Sequence, residues 1–202
     1  MLPSMNENDF LDRSPELMSP TDTTLLVVDV QEKLMRLIPA ADRIVWNIRR
    51  LIDGARVFGI PVMGTEQYPQ GLGPTVAGLA ALVGKMPSKV AFSCLGCGEI
   101  ASQLDVSARP KVLLVGIEAH VCIQQTALDL LSAGFGVYLA VDAIGARFPL
   151  DYEIALRRME SSGATVTTTE AALFEWCRVA GSPQFKQISA LVREPAPDAT
   201  KA

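Results

Sequence analysis

Histidine is nearly missing from this 202-residue sequence, which contains only His120. A zinc site built on two or three histidines therefore cannot form within one chain, and we expect no resident metal. No uninterrupted apolar run approaches the roughly 18 residues of a membrane-spanning helix. Residues 1–20 also lack the cationic start and apolar stretch of a signal peptide. These absences predict a cytoplasmic protein with no membrane partner.

The sequence also lacks a concentration of positive charge. The sequence has 18 Lys and Arg residues against 22 Asp and Glu residues, so its net charge is −4, and no basic cluster stands out. A nucleic-acid-binding domain usually has a basic face, so we expect no nucleic acid partner. Cysteines are few, and a chain of this size that is 49% hydrophobic needs no disulfide framework. We expect free thiols in a reducing compartment.

Several familiar site motifs are missing as well. No GxGxxG follows a candidate strand and no GxSxG is present, so the sequence supports neither a nucleotide cofactor nor a serine nucleophile on an elbow turn. We expect no cofactor of any kind. Cys94 and Cys97 form a CxxC, which redox proteins and zinc sites use, but no second CxxC completes a zinc site. Packing of two small side chains is the favoured interpretation, and thiol redox chemistry is the weaker alternative.

What the sequence does have is a regular alternation of β-rich apolar runs and amphipathic stretches. The predicted strands are residues 24–30, 60–64, 90–92, 111–116, 137–141 and 164–167. The predicted helices lie near residues 42–59, 99–104, 123–134, 154–159 and 168–179. This order predicts a three-layer α-β-α fold with a central, mostly parallel six-stranded sheet. The long segment 65–88 is predicted to be irregular.

The domain organisation follows from the composition of the two ends. Residues 1–20 are polar and interrupted by proline, and we interpret them as an N-terminal arm. Residues 193–202 are rich in Pro, Ala and charge, which predicts a disordered tail. Between them, residues 21–192 are predicted to form a single domain.

Three chemically competent side chains fall near strand ends. Asp29 interrupts a buried run, Lys89 lies near the third strand, and Cys122 follows the strand that ends at Gly116. Ligands of open parallel sheets bind at the carboxyl ends of the strands. Cys122 also lies near a helix N-terminus, where the dipole favours a thiolate. An acid, an amine and a thiol at one sheet edge are sufficient for nucleophilic acyl chemistry, although each alone is more often structural.

These segments resemble the isochorismatase-like hydrolases. Residues 26–31 (LVVDVQ) resemble the opening strand of that family, residues 88–93 (SKVAFS) its lysine segment and residues 115–122 (VGIEAHVC) its nucleophile segment. Residues 66–75 (EQYPQGLGPT) resemble a stretch of the family members of unassigned substrate. The metal-ligating histidines that nicotinamidases have in this region are absent, which speaks against nicotinamide as the substrate.

The resemblance implies a catalytic triad of Asp29, Lys89 and Cys122. Cys122 would attack a carbonyl carbon to form a thioester, Asp29 would act as general base, and Lys89 would tune both groups. Backbone N–H groups of Cys122 and Glu118 would form the oxyanion hole, shaped by a cis peptide bond between Ile117 and Glu118. The implied reaction is cleavage of a small-molecule C–N bond of the amide or ureide type.

The sequence defines the substrate site, the reaction and the assembly less closely. Gln31, Gln67, Tyr68 and Phe92 flank the motif residues and are predicted to line a small-molecule substrate site, although Gln67 and Tyr68 could equally anchor loops. Two alternatives to the hydrolase remain: an idle interaction protein that retains the fold, and an isochorismatase that cleaves a vinyl ether. Relatives usually assemble, so the resemblance implies a homo-oligomer, a dimer or a tetramer.

Overall fold

The computed structural model describes residues 13–197. Its sheet has six strands: β1 (Thr23–Val28), β2 (Val62–Gln67), β3 (Ser88–Lys89), β4 (Lys111–Ile117), β5 (Gly136–Gly145) and β6 (Thr165–Thr167). The helices are α1 (Glu32–Met35), α2 (Ala41–Phe58), α3 (Pro69–Leu72), α4 (Ala77–Val83), α5 (Gly98–Ser107), α6 (Gln124–Ser132), α7 (Pro149–Ser161), α8 (Thr169–Cys177) and α9 (Phe185–Val192). A 3-10 turn (Cys94–Gly96) precedes α5, and a π-helical turn (Ala119–Ile123) leads into α6.

All strand pairs are parallel, in the order β3-β2-β1-β4-β5-β6. The three-layer fold predicted from the sequence is therefore confirmed, with a sheet that is entirely parallel. The chain builds outward from β1 to β3 and then returns to place β4 on the other side of β1. The order of the strands therefore reverses between β1 and β4, and ligands of such sheets usually bind at the carboxyl ends of the strands beside this point.

Alternation along the central strands divides the core into two layers. Leu25 and Val27 of β1 pack in the layer of α2, α8 and α9, whereas Leu26 and Val28 pack in the layer of α5, α6 and α7. Successive side chains of a strand point to opposite faces, so a strand covered on both sides reads as a continuous apolar run. That is why every residue of β1 is buried.

The strand boundaries differ from the sequence-based prediction at two places that matter for the site. The first strand, predicted to reach residue 30, ends at Val28 because Asp29 has a left-handed backbone with φ of 53°. The third strand, predicted over 90–92, is instead Ser88–Lys89. Residues 90–92 turn back because the Lys89 ammonium donates hydrogen bonds to the carbonyls of Ala91 and Phe92.

The two ends of the domain have definite contacts where they are described. The main-chain N–H of Met18, a fully buried residue, donates to Glu175 Oε2 at 2.8 Å, and the Tyr138 hydroxyl donates to the Glu16 carbonyl at 2.6 Å. Residues 13–20 of the predicted arm thus contact the domain. Helix α9 was not predicted; buried Ile188 and a 3.0 Å bond from Arg50 Nε to the Leu191 carbonyl hold it on α2. Residues 1–12 and 198–202, in the predicted arm and tail, lie outside the described residues.

No helix within residues 13–197 combines the length and the apolar character that crossing a bilayer would require.

Gly116 fixes the close approach of β4 to β1. Its φ is 119°, and a Cβ atom there would overlap the carbonyl oxygen of Val28. Both the dihedral and the backbone contact exclude a side chain. We expect Gly116→Ala to lower the free energy of unfolding by about 3 kcal/mol or more.

Urea denaturation of Gly116→Ala measures this loss, and Gly78→Ala is the matched control. Gly78 lies within α4, and a Cβ there meets nothing within 4 Å. The control is expected to gain about 0.5–1 kcal/mol from helix propensity. Equal effects of the two variants would contradict the close-approach explanation.

Candidate active site

Asp29 is at the turn that follows β1 and is fully buried. Its φ of 53° is tolerated because Asp enters the left-handed region more readily than most residues. The turn is held by main-chain bonds, with Asp29 N–H donating to the Thr65 carbonyl at 3.2 Å and Gln31 N–H donating to the Asp29 carbonyl at 2.7 Å. Asp29 is therefore fixed at the carboxyl end of β1.

Lys89 ends β3 and reaches across β2 to Asp29. Its ammonium donates to Asp29 Oδ2 at 2.7 Å, and both side chains are almost completely buried. The same nitrogen donates to Gln67 Oε1 at 2.7 Å, to the Phe92 carbonyl at 2.9 Å and to the Ala91 carbonyl at 3.3 Å. An ammonium carries three hydrogens, so these partners saturate it. Lys89 is thus a fully paired buried cation.

Cys122 lies on the π-helical turn between β4 and α6, and only 6% of its surface is exposed. Single π-helical turns are frequent at functional sites, because they re-aim one side chain without ending the helix. The charges of the Asp29 carboxylate and the Lys89 ammonium both act on its thiol. The structure therefore brings together the three side chains that the sequence analysis proposed as a triad.

The electrostatics of the site favour a neutral thiol at rest. Burial, followed by the negative charge of Asp29, raises the pKa of Cys122 well above its ordinary value, and Lys89 only partly opposes the shift. Burial lowers the pKa of Lys89, but the charge and hydrogen bond of Asp29 outweigh it and raise that pKa overall. The expectation of a thiolate favoured by a helix N-terminus is wrong for the resting site, since desolvation and the neighbouring carboxylate dominate.

The residues predicted to shape an oxyanion hole lie beside Cys122. The peptide bond between Ile117 and Glu118 is cis, where the resemblance places it. The Glu118 carbonyl accepts from the N–H groups of Val121 and Ile123, which directs it into the π-helical turn. The Glu118 carboxylate accepts from the main-chain N–H of Arg147 at 3.1 Å and from its Nε at 3.0 Å. These contacts tie the turn before Cys122 to the end of β5.

Gln31 and Gln67, predicted to line the substrate site, form a network with each other. Gln31 Oε1 accepts from the main-chain N–H of Gln67 at 2.8 Å, and Gln31 Nε2 donates to the carbonyls of Gln67 and Gly73 at 3.0 and 2.6 Å. The Gln67 amide is occupied by Lys89 at its oxygen and by the Val90 carbonyl, 2.9 Å from its nitrogen. In this structure both amides bind protein groups, and the Gln67 amide contacts the Lys89 ammonium directly.

Tyr68 and Phe92, the other two predicted substrate-binding residues, are about half exposed beside this network. Tyr68 N–H donates to the Lys89 carbonyl at 2.9 Å, and the Phe92 carbonyl binds the Lys89 ammonium. Their rings therefore belong to the outer part of the site, where apolar groups of a ligand could contact them.

Other candidates have structural partners. Asp142 accepts hydrogen bonds from the main chain and hydroxyl of Thr169 at 2.7 and 3.0 Å, so it ties down the start of α8. His120 Nε2 is 3.8 Å from Asp151. Cys94 and Cys97 are free and buried. Within residues 13–197, no group of three or more His, Cys, Asp or Glu residues is arranged to hold a metal ion.

The sequence analysis missed Thr65, which donates to Asp29 Oδ1 at 2.8 Å. The sequence contained one signal for it, because Thr65 is a hydroxyl residue directly before residues 66–75, which resemble a segment of the family. A cavity of about 390 Å³ lies elsewhere, between α2 and α7, and Arg43, Ile144 and Tyr152 are among the residues that line it. Asp29, Lys89 and Cys122 do not line that cavity, and their buried cluster of ionisable groups is the candidate site.

The family model that matches this sequence is the isochorismatase domain, over residues 23–171. The human protein named isochorismatase domain-containing protein 2 is 42% identical over 182 residues, covering 89% of this chain and 87% of that protein. The corresponding zebrafish (Danio rerio) protein is 39% identical over 181 residues, covering 90% of this chain and 92% of that protein.

Solved structures agree with the sequence matches. A Caenorhabditis elegans structure described as MAR1 ribonuclease has a TM-score of 0.83 and 38% identity, covering 92% of this chain and 97% of that one. The Escherichia coli YcaC protein, described as an octameric hydrolase of unknown specificity, has a TM-score of 0.78 and 23% identity, covering 87% of each chain. The chain therefore belongs to the isochorismatase family of hydrolase-like α/β proteins.

Proposed function

We propose that this protein hydrolyses a C–N bond of a small amide or ureide through a thioester on Cys122. The observation that carries the proposal is the buried cluster in which the Asp29 carboxylate binds the Lys89 ammonium at 2.7 Å and both charges act on the Cys122 thiol. A buried ion pair is costly to maintain and adds little stability on its own. Its position beside a nucleophile, at the topological reversal of the sheet, supports a catalytic role.

The first half of the reaction begins from a neutral thiol. Asp29 accepts the Cys122 proton as the sulfur attacks the carbonyl carbon, and the carbonyl oxygen becomes an oxyanion. Lys89 stays protonated and offsets the negative charge of the cluster. Backbone N–H groups of Cys122 and Glu118 are proposed to stabilise the oxyanion. Collapse of the tetrahedral intermediate breaks the C–N bond, and the leaving nitrogen takes the proton from Asp29.

The second half releases the acid. Asp29, ionised again, accepts a proton from water as the water attacks the thioester carbonyl. Collapse of this second intermediate breaks the C–S bond, and Asp29 returns the proton to the sulfur. The products are a carboxylic or carbamic acid and the free amine or ammonia. One carboxylate thus serves as base and acid in both halves.

A substrate panel tests the proposal. Small primary amides, ureides and hydroxamates would be incubated with the full-length protein and assayed for released ammonia, amine or hydroxylamine. We expect at least one class to turn over, with loss of activity in Cys122→Ala. Hydrolysis of none of these classes would contradict the proposed reaction.

Alkylation of Cys122 gives a test that needs no substrate. Because the pKa of this thiol is raised, it is neutral at pH 7, and its rate of reaction with iodoacetamide is expected to keep rising beyond pH 9. The negative charge of Asp29 contributes to the raised pKa, so Asp29→Asn should react faster at alkaline pH while losing turnover. Peptide mass spectrometry at each pH measures the rate at Cys122.

Cys94 is the internal control for that experiment. Cys94 is fully buried, whereas 6% of the Cys122 surface is exposed, so limited access of the reagent should make Cys94 react more slowly than Cys122 at every pH. A Cys122 rate that levels off below pH 7, or an Asp29→Asn variant that reacts more slowly than wild type, would contradict the electrostatic description of the site.

Three other functions are weaker. Vinyl ether cleavage does not need the cysteine in the same way, and an idle interaction protein needs no buried ion pair beside a thiol. The ribonuclease description of the Caenorhabditis elegans protein raises RNA as a substrate. RNA binding relies on cationic surface, whereas this chain has a net charge of −4 and its site lysine is buried and paired. Cleavage of an RNA oligonucleotide without amide hydrolysis would favour that function instead.

We also propose that the protein acts in the cytoplasm as a homo-oligomer, a dimer or a tetramer. Three large apolar side chains, Phe148, Leu150 and Ile154, are exposed at or near the start of α7. Exposed apolar patches commonly mark contacts between subunits. Light scattering coupled to size-exclusion chromatography measures the mass of the assembly, and a monomer at micromolar concentration would contradict the proposed assembly.

A further inference from the structure

Thr65 contacts the proposed general base directly. It is almost completely buried on β2, level with Val28 at the end of β1. Its hydroxyl donates to Asp29 Oδ1 at 2.8 Å, while Lys89 donates to Oδ2 at 2.7 Å. Each carboxylate oxygen therefore has its own donor, and rotation of the carboxylate would break both bonds.

Counting the available hydrogens shows which group is the donor between Thr65 and Cys94. An ionised carboxylate only accepts, so the single hydroxyl hydrogen of Thr65 is committed to Asp29. The Cys94 sulfur is 3.6 Å from Thr65 Oγ1, and this contact is a hydrogen bond only if the thiol donates. Burial raises the pKa of Cys94 to about 11, so its proton is retained at neutral pH.

Cys94 is itself held in place by the helix that follows Cys122. Its main-chain N–H donates to Thr126 Oγ1 at 2.9 Å, and Thr126 is one helical turn beyond Cys122. A chain of donors thus runs from Cys94 to Thr65 to Asp29, on the opposite oxygen from the lysine. The titratable groups that face Asp29 are Lys89, Cys122 and Cys94.

We propose that Thr65 is a positioning residue that stabilises the Asp29 carboxylate and holds it turned toward Cys122, with the Cys94 thiol as the donor that orients Thr65. This inference rests on the proposed function only for its effect on turnover. It also gives Cys94 a role in hydrogen bonding, without a redox reaction and without Cys97.

The test is the pH at which Asp29 titrates in matched variants of the full chain. Thr65→Val removes the hydroxyl and nearly preserves shape, and Thr65→Ser keeps the hydroxyl. The Asp29 signal in carboxyl ¹³C NMR would be assigned by its absence in Asp29→Asn. Loss of one donor to a charged acceptor should move the titration midpoint up by about one pH unit in Thr65→Val. Thr65→Ser should titrate like the wild type.

Cys94 variants extend the same measurement. Cys94→Ala is expected to raise the midpoint by less than Thr65→Val does, and Cys94→Ser, which keeps a donor, to leave it unchanged. If Thr65→Val does not fold, Cys94→Ala carries the test. An unchanged midpoint in the folded variants that remove a donor would overturn the proposal, as would a shift that Thr65→Ser does not reverse.

The measurement separates this inference from the proposed function. A raised midpoint in a protein that hydrolyses none of the amides supports the positioning role and contradicts the proposed reaction. An unchanged midpoint in a protein that hydrolyses amides supports the proposed reaction and contradicts the positioning role. Where turnover exists, the acid limb of the pH–rate profile should move with the NMR midpoint, which a purely structural effect of Thr65→Val would not produce.

Discussion

Replacing Cys122 with alanine is expected to reduce the turnover of a responding amide by about 10⁵- to 10⁶-fold, because the covalent intermediate can no longer form. The loss should appear in kcat, with substrate binding retained. Folding should be little affected, since the change removes one sulfur atom from a small side chain. Steady-state kinetics and thermal unfolding of the same preparation measure both quantities.

Cys177→Ala is the matched control for this variant. Cys177 is a buried cysteine of α8 whose sulfur contacts the Val179 carbonyl and the Ser182 hydroxyl. It has no contact with the triad, so its removal should leave turnover unchanged. Wild-type turnover in Cys122→Ala, or an equal loss in Cys177→Ala, would contradict nucleophilic catalysis by Cys122.

Lys89→Met has the largest expected effect on stability. The variant leaves Asp29 as a fully buried carboxylate without its cation, which should lower the free energy of unfolding by about 3–5 kcal/mol at pH 7. The buried carboxylate of the variant is favoured in its neutral form, so the folded variant binds a proton more readily than the unfolded chain. The deficit relative to wild type should therefore shrink as the pH falls toward 5.

A double variant gives the control for this effect. Asp29→Asn combined with Lys89→Met removes both charges, so it should be more stable than Lys89→Met alone and close to the wild type. Urea denaturation of the wild type, the two single variants and the double variant provides four free energies at pH 5 and four at pH 7. A deficit that does not depend on pH, or additive losses in the double variant, would contradict the buried ion pair as the source of the effect.

The sequence predicted the architecture well because the sheet is buried on both faces. Continuous apolar runs such as residues 24–28 and 111–116 can be recognised without knowing which strands pair with them. In the structure they form most of β1 and β4. The third strand was misplaced by two residues, because its end is determined by the Lys89 ammonium binding the carbonyls of Ala91 and Phe92. A contact between a side chain and a distant carbonyl has no local signature in the sequence.

The sequence predicted the site only where its residues lie within recognisable motifs. The sequence placed Asp29, Lys89 and Cys122 near strand ends, and the resemblance joined them. The sequence analysis missed Thr65 as a partner of Asp29 and Cys94 as a partner of Thr65. These contacts depend on the register of β2 against β1 and on where the 3-10 turn packs. The network of the Gln31 amide with main-chain groups of β2 and the segment after it arises only once the chain is folded.

The most direct test of the central claim is mass spectrometry of the wild-type protein quenched in acid during turnover of a responding amide. The account predicts a mass increase equal to the acyl part of the substrate, located by peptide mapping on Cys122 and absent in Cys122→Ala. Continued turnover with no adduct on Cys122 at any quench time, together with full activity of the alanine variant, would contradict it.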